Sequence, residues 1–167
     1  MIPTVAMFIF PMLLAFAASS DLLTMRISNR LVIALFVSFF PVALIVGLPL
    51  EQIGMHFAAA VLVLVVAFTF FAFGWIGGGD AKLAAATTLW LGFGMTLPYL
   101  VYAGLLGGAL TLGILAMRRW PLPRRLAGVT WIDRLHDNKS GVPYGIALAA
   151  AGILVYSDTV IFQRLIA

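Results

Sequence analysis

Polar positions along this chain fall in short clusters between long apolar runs. Residues 2–20 carry no charge; Asp21, Arg26 and Arg30 follow; residues 31–50 are again uncharged and close at Glu51. A third run, 52–79, ends in Gly77-Gly78-Gly79 and is stopped by Asp80, and residues 140–157 form the last. Each run has at least the roughly 17 to 20 residues that a helix needs to cross a bilayer. Residues 83–117 hold no charge for 35 positions. As one straight helix they would reach about 52 Å, too long for a hydrocarbon core of about 30 Å. Pro98, following Gly92 and Gly94, predicts a tight turn near the middle and two spans, 83–97 and 99–117. The pattern therefore predicts an all-α polytopic membrane protein with six transmembrane helices, one membrane-embedded domain over 1–167, and a polar loop at about 118–139.

Composition removes the soluble alternative. The chain is 63% hydrophobic and 10% charged, whereas an ordinary soluble domain carries about a quarter charged residues. At this length one compact bundle is expected and no sizeable soluble domain. There are no cysteines, which excludes disulfides, thiolate zinc sites and a cysteine nucleophile. The net charge of +4 first suggests nucleic acid, but its placement argues otherwise. With six spans, the loops 21–30, 74–82 and 118–139 share one face and hold two, one and six of the Lys and Arg residues, leaving Arg164 alone on the other. By the positive-inside rule those loops are cytoplasmic and the N-terminus is outside. Ala15-Phe16-Ala17 resembles a signal-peptidase site, yet no Lys or Arg precedes the first run, so a retained first helix is expected.

The basic loop interleaves Trp120, Leu126, Val129, Trp131, Ile132 and Leu135 with arginines. That suits a segment on the cytoplasmic interface near anionic lipid, although a solvated loop would read the same way. Trp75 and Trp90 fall near predicted span ends, where aromatic belts occur.

Four of the six carboxylates have an ordinary account. Asp133 and Asp137 lie in the basic loop, and Glu51 and Asp158 near span ends on the other face. Asp21 and Asp80 remain. They are 59 residues apart with two full spans between, and an even number of crossings returns the chain to the same face. They become neighbours if the first and fourth helices pack together, and ionisable groups at a membrane edge point to function. Two close carboxylates share a proton, since both cannot easily ionise. The ionised member then takes a proton from water, which attacks a peptide carbonyl, while the protonated member donates to the carbonyl oxygen. Taken singly, Asp80 is also a fair helix N-cap, and Asp21 an ordinary end to the first span.

The glycines divide in the same way. Gly74 and Gly78, and Gly104 and Gly108, form GxxxG spacings that commonly mark close helix packing. The run Gly77-Gly78-Gly79 instead weakens helix continuity and permits positive φ or close backbone approach beside Asp80. His56 and His136 have no ligand-like neighbours in sequence, so neither a metal site nor any cofactor is expected.

Gly77-Gly78-Gly79-Asp80 fits the G-x-G-D pattern of intramembrane aspartyl proteases. "DLLTMRISNRL" at 21–31 resembles the first-aspartate motif of the type IV prepilin peptidases: Asp21, Arg26, Ile27 and Asn29 match, and Ser28 replaces the usual proline. "GGGDAKL" matches the second motif through Lys82, and "VPYGIALAAAG" at 142–152 resembles the entry to the final span through Pro143, Tyr144 and Gly145. The resemblance implies a multi-pass protease of the bacterial inner membrane that cleaves the short basic leader from prepilins on the cytoplasmic side. It implies Asp21 and Asp80 as the catalytic pair. Gly77, Gly78, Gly79, Lys82, Asn29, Pro143, Tyr144 and Gly145 would shape the site or bind substrate. For Lys82 positive-inside anchoring, and for Tyr144 a packing or belt role, read equally well; for Asn29 a cap on the second helix is the favoured reading over substrate contact. Larger members carry a cysteine-paired cytoplasmic domain and methylate the new N-terminus. This chain is similar to the short, peptidase-only branch of Flp (tight adherence) pilus systems, so N-methylation is not expected. Partners are then a prepilin and the lipid bilayer, not nucleic acid. From the residues, a presenilin-like GxGD protease, a small transporter using Asp21 and Asp80 as a proton or cation relay, and a structural subunit of a secretion assembly stay open.

Overall fold

A computed structural model describes residues 2–123 and 128–167. Leu126 and the paired arginines of the basic loop, at 124–125, lie outside the described residues. Among the described residues, all regular structure is helical: α1 (Ile2–Thr24), α2 (Asn29–Ile45), α3 (Leu50–Ala72), α4 (Gly78–Arg118), α5 (Thr130–His136), α6 (Gly145–Tyr156) and α7 (Val160–Ile166). Three of them, α1, α3 and α4, are long and apolar enough to cross a membrane, and the bent pair α6–α7 makes up to four. The apolar outer surface of α3, with Leu62, Val65 and Phe68 each about half exposed or more, suits lipid rather than water.

The helices begin where the polar clusters predict, but the turn inside the long apolar run does not. Pro98 sits within continuous helix, and the break falls at Gly92, whose φ of 65° and ψ of 179° interrupt α4. That conformation is open essentially to glycine alone, so glycine, not proline, makes the turn. The chain doubles back there. Asp80 and Gly104 line one cavity, whereas a straight helix would hold them about 36 Å apart. The residues flanking Gly92 lie against Met55 and His56 near the start of α3. His56 closes the turn: its ring lies over Gly92, where an added Cβ would stand 2.9 Å from it, and Nδ1 meets the Leu89 carbonyl at 2.8 Å. A carbonyl only accepts, so Nδ1 carries the proton. It serves an oxygen whose helical partner, four residues on, is lost beyond the break.

Residues 78–91 run through the centre of the bundle, packed between α3 and α6, while α1 lies against α6 and α2. Trp90 is fully buried, touches Phe10 at 5.1 Å and Phe39 at 6.0 Å between ring centres, and donates Nε1–H to the Leu35 carbonyl at 2.8 Å. It is a core residue and no part of an aromatic belt; Trp75, exposed and stacked on Phe73, keeps the interfacial reading. Of the four GxxxG glycines only Gly78 makes a close helix contact, with the Phe71 ring of α3. A Cβ at Gly74, Gly104 or Gly108 would meet nothing within 4 Å, while one at Gly152 would meet Leu14 at 2.7 Å. Trp90→Phe is expected to lower the unfolding midpoint in detergent. It removes one buried donor to the Leu35 carbonyl, which keeps the Ser38 hydroxyl as a partner, a cost of about 0.5–1.5 kcal/mol; an unchanged midpoint would show that bond to be idle.

Arg118 ends α4 with three hydrogen bonds, from Nε to the Leu135 carbonyl and from Nη2 to those of Ser140 and Gly141. Arg134 donates to the Leu23 carbonyl at 3.0 Å. The described part of the basic loop is thus tied to α1 and α4.

Candidate active site

Asp21 continues the buried stripe of α1. Ala6, Phe10, Leu14, Ala17 and Asp21 recur at helical spacing and all are buried, so the carboxylate faces the bundle interior. There its Oδ2 accepts the Gly145 backbone N–H at 2.8 Å. That N–H belongs to the first turn of α6 and has no partner inside its own helix; the acid of α1 caps α6.

Asp80 lies in the first turn of α4 and is not its N-cap, a position held by Gly77. Its carboxylate folds back over Gly77, where a Cβ would come within 2.7 Å of Oδ2. The reach of a third-position acid toward the N-cap backbone is the half of a capping box that needs no cap side chain. Asp21 and Asp80 line one cavity of about 340 Å³, together with Arg26, Ile27 and the three glycines.

None of Gly77, Gly78 and Gly79 has positive φ. They act through close approach instead. A Cβ at Gly78 would press on the Phe71 ring at 3.2 Å, and one at Gly79 would meet Ile27 at 3.3 Å. Ile27 also lies 2.9 Å from where a Gly145 Cβ would stand. It is a wedge holding apart the two backbones that frame the aspartates. The sequence shows Ile27 only as one letter of a motif; nothing in its type or spacing announces that contact.

The turn carrying Ile27 is fixed locally. Met25 takes φ 54° and closes α1 in the left-handed conformation usually left to glycine. Ser20 and Thr24 both donate to the Arg26 carbonyl. Ser28, where the related motif has proline, is the N-cap of α2, and its hydroxyl accepts from Arg30 N–H. Its φ of −66° is the value a proline ring imposes, so the replacement keeps the turn. Ser28 caps the helix, and Asn29 does not.

Asn29 instead ties two helices together: its Oδ1 accepts from Lys82 Nζ at 3.1 Å. That bond joins α2 to α4 on the side of a groove with Val32 and Phe57. Neither residue lines the aspartate cavity. Pro143 is buried. Tyr144 donates to the Ala103 carbonyl at 3.1 Å and packs its ring on Gly107. Among the described residues no three His, Asp or Glu side chains gather as a metal site.

Gly145→Ala is expected to lower turnover by about tenfold to a hundredfold while the protein still folds. The added methyl enters the space of Asp21 Oδ2, at 2.8 Å, and displacement of a reacting group by about 1 Å costs up to about 10² in rate. Initial rates at saturating substrate check this; a full-rate Gly145→Ala would show that the α6 N-terminus does not set the Asp21 position.

The profile of the type IV leader peptidase family matches residues 8–112, a stretch that contains Asp21, Asn29, Asp80 and Lys82 and stops short of Tyr144 and Gly145. No curated protein and no solved structure matches the chain.

Proposed function

The chain belongs to the type IV leader peptidase family, and from that premise we propose that it is a membrane aspartyl endopeptidase. It removes the short basic leader from type IV, Flp-like prepilins at the cytoplasmic face of the bacterial inner membrane. The observation that carries the aspartyl mechanism is the single cavity shared by Asp21 and Asp80, each with its carboxylate set against a backbone amide. One proton is held by the pair as a unit. The ionised carboxylate takes a proton from water as the oxygen attacks the scissile carbonyl carbon. Its partner gives a proton to the carbonyl oxygen, and collapse of the tetrahedral species breaks the C–N bond as a proton passes to the leaving amine.

Six crossings with the N-terminus outside complete the reading. The reversal at Gly92 supports counting α4 as two crossings, and the placement of nine of the ten Lys and Arg residues supports the orientation. The chain is expected to act on its substrate without N-methylation.

The test is co-expression with a Flp-type prepilin in cells lacking their own leader peptidase. Mass spectrometry and N-terminal sequencing should find the pilin shortened by its leader and unmethylated. Uncut pilin alongside correctly inserted protein would remove the peptidase reading in favour of a relay or a structural subunit.

A further inference from the structure

A second cavity, of about 420 Å³, opens sideways from the Asp80 side of the site. Its walls are Val66 and Phe70 of α3, Leu100 and Gly104 of the returning part of α4, and Tyr144. Asp80 is its one ionisable carboxylate and also lines the Asp21 cavity. The Tyr144 hydroxyl is already given to Ala103. Val66 and Leu100 are each more than a third exposed on the outer surface, so the groove is open to the surrounding lipid. The wall runs from Leu62 to Phe70 and from Thr96 to Gly104, about 12 Å along either helix, or roughly two helical turns.

We propose that this groove seats the apolar helix of the substrate that follows the scissile bond, so that the membrane segment and the cut are read by one continuous surface. This rests on the peptidase reading above. Continuity with the aspartates selects the occupant. A guest helix about two turns long in the groove has its polar end at Asp80, where it unwinds into the cavity shared with Asp21. The oily walls recognise apolarity and bulk rather than a particular side chain. The floor at Gly104 is open: a Cβ there meets nothing within 4 Å, so that position gives the guest room without being needed to pack the bundle.

Gly104→Phe places a ring in the groove from a position where the added Cβ meets nothing within 4 Å. It is expected to lower kcat/KM for a vesicle-embedded prepilin by roughly tenfold or more, mainly through KM. A soluble peptide that spans the cleavage site but lacks the apolar helix should be cut as by wild type. Gly113→Phe, also in open space and outside the groove, should change neither rate. A second measurement does not depend on the bulky variant folding. The chain has no cysteine, so Gly104→Cys in an Asp80→Asn background should form a disulfide with a cysteine placed one to two turns past the scissile bond, and Gly113→Cys should not. Full activity of Gly104→Phe on the embedded substrate, or equal cross-linking at both positions, would overturn the proposal and leave the groove to a lipid tail. Wild-type protein that cuts neither substrate would overturn the peptidase reading itself.

Discussion

Asp21→Asn and Asp80→Asn are each expected to lower leader cleavage by about 10²- to 10⁴-fold in a protein that remains folded. Asparagine keeps the shape and one acceptor oxygen. The Gly145 N–H that Asp21 holds at 2.8 Å still finds a partner, and so does the backbone at Gly77 beneath Asp80. What disappears is the ability to take up and release a proton. On the proposed mechanism the two carboxyls share one proton, so either loss should disable the pair, and the double variant should be no slower than the worse single one. Asp→Glu at either position should also fail, since the added methylene carries the carboxylate away from the backbone at Gly77 or Gly145 against which the aspartate is set. A proton or cation relay would tolerate that change. Initial rates on a fixed prepilin, with thermal melts alongside, separate the cases. Either Asn variant at the wild-type rate would end the dyad mechanism.

Gly92→Ala is expected to be the most damaging single methyl in the bundle, at about 2–6 kcal/mol. Two costs combine. A residue with a Cβ forced to φ 65° and ψ 179° is strained by about 1–3 kcal/mol. The new methyl also meets His56 Cε1 and Nε2 at 2.9 Å, and that ring leaves only by dropping the Leu89 carbonyl, a further ~1–3 kcal/mol. Folded proteins hold only about 5–15 kcal/mol in reserve, so the variant should lose much of its yield and melt far lower in detergent. Pro98→Ala should be close to neutral, because Pro98 lies within helix and turns nothing. If Pro98→Ala proves the more harmful of the two, the chain reverses elsewhere.

That pair of variants also marks what could be read from the sequence. The apolar runs and their charged stops are legible because the bilayer sets a minimum length, and α1, α2 and α3 begin and end close to the predicted breaks. The 35-residue run is equally legible as too long. Choosing the turn within it is not, because proline breaks helices on average, whereas a reversal needs a backbone angle that only glycine adopts. The decisive partner, His56, lies 36 residues away. Asp21 and Asp80 could be brought to one face by counting crossings. Their surroundings could not, since Ile27, Gly107 and Gly145 matter through contacts with atoms distant in sequence. Lys82 and Asn29 share a motif with the aspartates, yet a residue two positions along a helix points well away from its neighbour, and the two bond to each other instead.

The 14 residues from Gly78 to Leu91 and the 12 of α6 rise only about 21 and 18 Å, while α1 and α3 have 23 each. Residues 78–91 are therefore shorter than the roughly 30 Å of a hydrocarbon core, and α6 approaches that length only with its bent continuation α7. On the membrane reading proposed above, hydrophobic mismatch is expected to thin the bilayer beside them. A reaction that consumes water then proceeds at the bottom of a local thinning that lets water down to it, and a helical substrate is drawn to the place where its own end is least well covered. Lipid chain length thereby becomes a control on the rate: proteoliposomes of short-chain lipids should support faster cleavage than thick ones at equal protein and substrate density.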